Sequence, residues 1–332
     1  MSDEQPTPDL IMQLATGGWA ASILAAGTTH SVFTLIENGE DTVEILAKGA
    51  ELSERGTQAL LDGLTGLGLL EVVDGTYRNS PVAAAFLVEG RPAYFGSLAT
   101  VFGGQMSHWS GLPEVVRTGA PAATDILDVA ENPFWEVLVP AIAPLSVPSA
   151  LIAAEQLHLA DAGPLSILDV GGGSGIFSSV WLGMNPDARS TQIDWPPVNA
   201  IARRLVAEAG VGDRFFCVDG DFHSTDFGTA EHDLGVYSHI AHQEGPESNV
   251  AIFTKFRRAL KPGATLVVND FVLEDDRSGP AFPLIFHSQM LLGTESGAAW
   301  RNADYRSWLA EAGFTDVSFH ATPGAATLVF AR

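Results

Sequence analysis

Leu168-Asp169-Val170-Gly171-Gly172-Gly173-Ser174-Gly175 is the stretch whose reading decides the fold of this chain. Pro164-Leu165-Ser166-Ile167 leads into it as a short apolar run that ends in an acid, the pattern of a buried parallel strand stopping at a ligand site. The residues over 176–182 predict a helix. Glycines at 171, 173 and 175 permit a tight strand-to-helix turn that a ligand can approach at backbone distance, where free N–H groups of the helix start face it.

The segments downstream separate this turn from other glycine-rich ones. Thr191-Gln192-Ile193-Asp194 predicts a second strand, ending in an acid placed to accept hydrogen bonds from ribose hydroxyls. After a helix over 198–209 comes a third strand, Arg214-Phe215-Phe216-Cys217-Val218, and then Asp219-Gly220-Asp221-Phe222. An acid and an aromatic at Asp221 and Phe222 could hold an adenine by its amino group and its face. The succession resembles the S-adenosylmethionine-binding core of class I methyltransferases.

Working outward, Asp233-Leu234-Gly235-Val236-Tyr237 predicts a fourth strand and 247–260 the next helix. Lys261-Pro262-Gly263 turns into a strand over 265–270; a helix over 302–312 and strands over 316–320 and 326–331 close the chain. Alternating strands and helices imply an α/β, doubly wound, Rossmann-like domain with a mostly parallel sheet and ligands at its carboxyl ends.

Upstream, residues 1–7 are polar and expected to fray. Residues 8–36 predict two apolar helices broken at Gly27, with more apolar surface than a small domain buries, which points to a subunit interface. Residues 41–89 predict a winged helix: a short helix over 42–48, a longer one capped by Ser53 and running to Leu64, and a hairpin turning at Asp74-Gly75. Residues 94–157 are apolar, aromatic-rich and helical, with Phe134 and Trp135 as candidates to line an acceptor pocket. The expected division is an all-helical and winged-helix dimerisation domain over 1–100, a helical linker or lid over 101–160, and the cofactor domain over 161–332.

Composition narrows the function. The 332 residues carry 17 Lys plus Arg against 40 Asp plus Glu, a formal charge of -23, which repels phosphate backbones and anionic membranes. The winged helix itself holds Lys48, Arg55 and Arg78 against eight acids, so a duplex-binding regulator is disfavoured. Cys217 is the only cysteine, which excludes a disulfide or thiolate zinc site and makes a cytoplasmic address the expectation. No signal peptide or spanning segment is expected. The partners implied are a small-molecule substrate and a second copy of the chain, not nucleic acid or a membrane.

Ser238-His239-Ile240-Ala241-His242-Gln243-Glu244 lies beyond the fourth strand, on the ligand side of the sheet, where a histidine could deprotonate a hydroxyl as methyl transfer proceeds. From about residue 10 to the end the chain resembles the dimeric small-molecule O-methyltransferases of plant caffeic-acid type and of bacterial natural-product pathways. The matching motifs are 168–175, Ile193-Asp194-Trp195-Pro196, Gly220-Asp221-Phe222, 238–242, Ala259-Leu260-Lys261-Pro262-Gly263, Asp270 and Ala312-Gly313-Phe314. The resemblance implies S-adenosylmethionine as cofactor and His242 as catalytic base. It implies cofactor contacts at Asp169, Gly171, Gly173, Asp194, Trp195, Asp221, Phe222 and Ser238. Acceptor contacts are expected at Phe134, Trp135, His239, His287, Met290 and Trp300.

Departures from the family pattern leave alternatives open. Gln243 and Glu244 stand where Asp and Trp usually follow the base, His287 stands at a usual Asp, and Trp300 precedes Arg301 where an acid is expected. The supporting acids therefore read as missing, with Glu244 or Glu295 as substitutes. That favours, as an alternative to a hydroxyl, a thioether acceptor that has no proton to lose; N- or C-methylation and a non-methylating relative are further options. A metal on His239, His242 and His287 is a third chemistry, although no metal is expected.

Overall fold

A computed structural model describes residues 6–91, 93–121, 129–130 and 132–332, so the expectation of fraying over 1–5 lies outside the described residues. The chain divides into two compact units, 1–110 and 111–332.

In the first unit, helices Asp9–Ala15, Gly17–Thr29, Val32–Glu37, Val43–Gly49 and Glu54–Gly66 precede a hairpin of β1 (Leu70–Val73) and β2 (Thr76–Asn79). The two strands pair antiparallel around Asp74-Gly75, both at positive φ, and Ser53 caps its helix by accepting the Gly56 N–H. The expected break at Gly27 is corrected. Helix Gly17–Thr29 runs through it, and the chain turns instead at His30-Ser31, with Ser31 at φ 50°. Gly27 is a packing residue, because a Cβ there would stand 3.1 Å from Leu64 and 3.2 Å from Phe33. Val32, Phe33, Leu46, Leu61 and Leu64 form the fully buried core of this unit. Leu10, Ile11, Leu14 and Trp19 are 63–71 % exposed, an apolar stripe left open in the single chain.

The second unit is built on a seven-stranded sheet. Its strands are β3 (Ser166–Val170), β4 (Arg189–Asp194), β5 (Phe215–Asp219), β6 (His232–Ser238), β7 (Leu260–Asp270), β8 (Val317–Ala321) and β9 (Thr327–Ala331). The order is β5-β4-β3-β6-β7-β9-β8, parallel except for β9. The order reverses between β3 and β6, which opens the ligand crevice of a doubly wound sheet. Both the glycine turn after β3 and the histidine loop after β6 leave from that point.

Packing follows from composition. One face of the sheet buries Phe253, Phe256, Tyr305 and Leu309, and the other Phe177, Trp181, Leu182 and Ala202. Helix Trp135–Gln156 is 22 residues long and apolar enough by length and composition to cross a membrane, yet it holds Pro140, Pro144 and Pro148. Its Ala150, Ala153 and Ala154 are wholly buried in the domain core, and Ala150 O accepts the Trp181 indole N–H at 2.9 Å. Helix Ala281–Gly293 carries two of the expected acceptor contacts, His287 and Met290.

Phe256 meets Phe227 and Tyr237 edge-on under the sheet. Phe256→Ala is expected to destabilise the protein by about 3–5 kcal/mol, the cost of a buried aromatic truncation. A lowered urea midpoint checks this, and an unmoved midpoint would show that the helix Pro246–Ala259 is not anchored by that ring.

Candidate active site

The turn after β3 is as tight as its glycines allow. Gly171, Gly173 and Gly175 sit at φ 63°, 57° and 69°, and a Cβ on Gly171 would collide with Ile240 at 2.7 Å. Asp169 is buried beneath the turn, where its Oδ2 accepts the Ser178 hydroxyl at 2.7 Å, and burial pushes its carboxyl up to about 6.

Asp194 closes β4 beside the same turn. Its Oδ2 accepts the Gly173 N–H at 3.0 Å and its Oδ1 the Trp195 N–H at 2.8 Å. Burial pushes it up to about 7 despite those two donors. Each oxygen retains a second lone pair, so the pair of them suits a vicinal diol. Among the described residues, only Val139 comes within 4 Å of a notional Cβ on Gly173. The turn and the acid together fit the adenosine end of S-adenosylmethionine. Gln192 and Asn199, which the sequence did not mark, hold the frame: Gln192 Nε2 donates to Gly173 O and Asn199 Oδ1, and Asn199 Nδ2 donates to Asp194 O and Asp219 Oδ1.

Beyond β5, Asp221 starts a compact turn in which its backbone carbonyl accepts the N–H groups of Ser224 and Thr225. Phe222 packs against the core and tilts over His223 at 4.5 Å between centroids. His223, also unmarked by sequence, lies 2.7 Å from Asp221 Oδ1 and 3.1 Å from Glu244 Oε2.

The histidine loop holds the main correction. His242 does have a carboxylate partner, and it is Asp270, the last residue of β7. Asp270 Oδ1 lies 2.6 Å from His242 Nδ1, and Asp270 Oδ2 accepts the His242 backbone N–H at 3.0 Å and the Tyr305 hydroxyl at 3.1 Å. Burial by itself would raise this carboxyl, but His242 and His239 outweigh it and hold Asp270 well below the usual carboxylate range. Tyr305, pushed up by burial and by Asp270, stays a proton donor. An ionised Asp270 can only accept, so His242 carries its ring proton on Nδ1 and leaves the Nε2 lone pair outward. Glu244 is instead committed to His223 and to the Ser248 hydroxyl.

The expected acceptor residues separate into two sets. Phe134 and Trp135 open the helix Trp135–Gln156, and Trp135 packs on Trp195 at 5.9 Å between centroids. His239 sits at φ 57° beyond Ser238, whose hydroxyl accepts from Asn269 Nδ2. Trp300 braces rather than lines the site: its indole N–H donates to Ala241 O and Glu244 O. His287 Nδ1 accepts the Ala299 N–H, and Met290 is buried on the same helix.

Phe271 and Phe286, which no sequence signal marked, flank His242 at 5.9 Å and 4.8 Å between centroids. Phe271 also walls an apolar cavity of about 140 Å³ that reaches His239, Phe282, Leu145 and the turn at Thr322 and Ala326. His287 is not part of the histidine cluster expected for a metal; among the described residues, His239, His242 and Asp270 are the ligand-type groups gathered within 4.8 Å.

Comparison with known proteins agrees with this geometry. A model of the O-methyltransferase domain matches residues 143–315, and one of the O-methyltransferase dimerisation domain matches residues 12–89. The chain is 32% identical over 329 residues to 3-hydroxy-5-methyl-1-naphthoate 3-O-methyltransferase of Streptomyces sahachiroi, covering 96% of this chain and 93% of that one. It is 28% identical to the tetracenomycin polyketide synthesis 8-O-methyltransferase of Streptomyces glaucescens, over 98% and 96% of the two chains. In fold it is similar to human N-acetylserotonin methyltransferase in complex with S-adenosylmethionine. The TM-score is 0.86 at 24% identity, over 100% of this chain and 99% of that one.

The Asp270 contact fixes a tautomer, and that is measurable. Side-chain ¹⁵N spectra of the neutral His242 ring are expected to show the proton on Nδ1. Asp270→Asn, whose amide can donate to Nδ1, should move it to Nε2. An unchanged tautomer in the variant would mean that Asp270 does not set the ring.

Proposed function

Because this chain belongs to the O-methyltransferase family and is an S-adenosylmethionine-dependent O-methyltransferase of small molecules, we propose that His242 is its general base and an aromatic hydroxyl its acceptor. The observation that carries the reading is the buried Asp270–His242 pair. The thioether alternative rested on a histidine without acidic support, and Asp270 removes that premise.

Gly171, Gly173, Asp194, Asp221 and Phe222 would hold the cofactor, together with Asp169, Trp195 and Ser238. When bound, S-adenosylmethionine supplies a methyl group on a sulfonium, already activated for displacement. What remains for the protein is to place the acceptor oxygen and remove its proton. His242 Nε2 takes that proton, and Asp270 stabilises the imidazolium that results without itself becoming protonated. Phe271 and Phe286 exclude water from the ring, and with Phe282 they offer faces and edges to a flat acceptor. One Streptomyces relative is named for a hydroxynaphthoate and the other for a tetracenomycin polyketide, which supports a hydroxylated aromatic ring here. Phe134, Trp135 and the helix they begin would serve as the lid over that ring.

The dimerisation domain supports a homodimer in which the exposed stripe of Leu10, Ile11, Leu14 and Trp19 is covered by the second copy. A cytoplasmic address, with neither nucleic acid nor a membrane as partner, completes the reading.

Two measurements test these roles. A panel of hydroxylated aromatic acids, with product mass as the readout, should show single O-methylation, and His242→Gln should lower kcat by about 100-fold or more. The same variant should bind S-adenosylhomocysteine as the parent does. A small loss of kcat would remove the histidine from proton transfer.

Asp194 adds a pH dependence with a defined sign. Its carboxyl titrates at about 7 before ligand binds, and ribose donors favour the ionised form. Affinity for S-adenosylhomocysteine should therefore fall as pH drops below about 7, approaching tenfold per pH unit well below it, and be level just above. Asp194→Ala should lose about 1–3 kcal/mol of binding free energy, together with that acid limb. Calorimetry showing the same limb in the variant would place the titration elsewhere.

A further inference from the structure

His223 joins the loop after β5 to the loop after β6. Its Nδ1 lies 2.7 Å from Asp221 Oδ1 and its Nε2 lies 3.1 Å from Glu244 Oε2. Ionised carboxylates only accept, so both ring nitrogens donate at once and the ring is an imidazolium. The far anchor is rigid. Glu244 is 8 % exposed, takes the Ser248 hydroxyl, and has its backbone carbonyl held by Asn249 Nδ2 and the Trp300 indole. It stands two residues beyond His242. The near anchor carries Asp221 and Phe222, and both bonds that His223 makes to Asp221, from its backbone N–H and from its ring, fall on Oδ1. Neither of those bonds uses the second oxygen of Asp221. Lys255, from helix Pro246–Ala259, donates to Phe222 O and His223 O, so among the described residues it is the charged group on the backbone of this turn.

We propose that His223 is a positioning residue for the nucleoside: a charged strap that ties the adenine-side loop to the histidine loop and sets Asp221 and Phe222 against the base. This rests on the reading that adenine lies at Asp221 and Phe222. The strap lasts as long as the ring keeps both protons. The hydrogen bond to Glu244 pushes His223 up to about 9 over the opposing effect of partial burial, with Asp221 adding to the rise. Above that pH the ring has one N–H for two carboxylates and must release one of them. The sign is opposite to that of Asp194, so nucleoside affinity has an acid limb and a separate alkaline limb.

The test is calorimetry on the full chain with 5′-methylthioadenosine, which keeps adenine and ribose but lacks the amino-acid group that would titrate in the same range. In the parent, affinity is expected to fall as pH rises through about 9. His223→Gln should bind about tenfold more weakly at pH 8, the loss of a charge-assisted hydrogen bond, and should show no further fall up to pH 10. Glu244→Gln, which keeps the shape of the far anchor, should show the same two changes and stands in should the first variant fold poorly. An alkaline limb that survives in His223→Gln belongs to Lys255 or another group and overturns the strap. So does parent-like affinity in both variants. Asp221→Asn separates the strap from the reading beneath it. If that variant binds normally, adenine is not at this loop and both fall; if it binds weakly while His223→Gln and Glu244→Gln do not, only the strap falls.

Discussion

The hydrogen bond between Asp270 and His242 depends on the whole sheet and, in turn, defines what the site can do. Asp270 ends β7 and His242 lies four residues beyond β6, so their 2.6 Å separation is set by the parallel register that pairs Ser238 with Asn269. A slip of one residue would turn Asp270 to the opposite face and leave the histidine without its acid. The register is held in turn by the Phe253–Phe256 core below, by β9 on the far side of β7, and by the His239 N–H donating to Asn269 O. Sheet stability and ring tautomer are thus one constraint.

Much of this was legible in the sequence, for reasons that differ by feature. The strand end at Asp194, the glycine turn and the Asp74-Gly75 hairpin are local patterns that formed where they predict, while the strand expected over 214–218 runs over 215–219. Gly27 was misread because a glycine can serve either conformation or packing, and only the neighbouring Leu64 and Phe33 decide which. Asp270 was visible as a motif residue, but its pairing with His242 spans 28 positions and needs the β6–β7 register. Trp300 shows the reverse case: its place in the chain suggested a pocket wall, while the direction of its indole N–H makes it a clasp on the histidine loop.

The substitutions around His242 form a pattern. Glu244 stands where the family has an aromatic residue, and His223 lies opposite it. A carboxylate this buried is costly alone and is tolerated because an imidazolium and the Ser248 hydroxyl face it. The acid that the sequence suggested as a partner for His242 is therefore committed to His223 and Ser248 instead. Asp270 is shared by His242, the Phe271 N–H and the Tyr305 hydroxyl, with His239 Nδ1 3.8 Å away.

Three carboxylates buried at or beside the carboxyl ends of β3, β4 and β7 show how one crevice obtains different charge states from the same functional group. Asp169 has one hydroxyl donor and is pushed up to about 6; it is a tie between strand and helix, with no need of a fixed charge. Asp194 has two backbone donors and is pushed up to about 7, near the point where two more donors from a ribose would tip it to the anion. Asp270 has the His242 and Phe271 N–H groups, the Tyr305 hydroxyl and the His242 ring, and lies well below the usual range. Burial raises the first two in spite of their donors, and the His242 and His239 rings set Asp270 apart from them. Of the three, Asp270 alone is held below the usual carboxylate range, and it is the one in contact with a histidine ring.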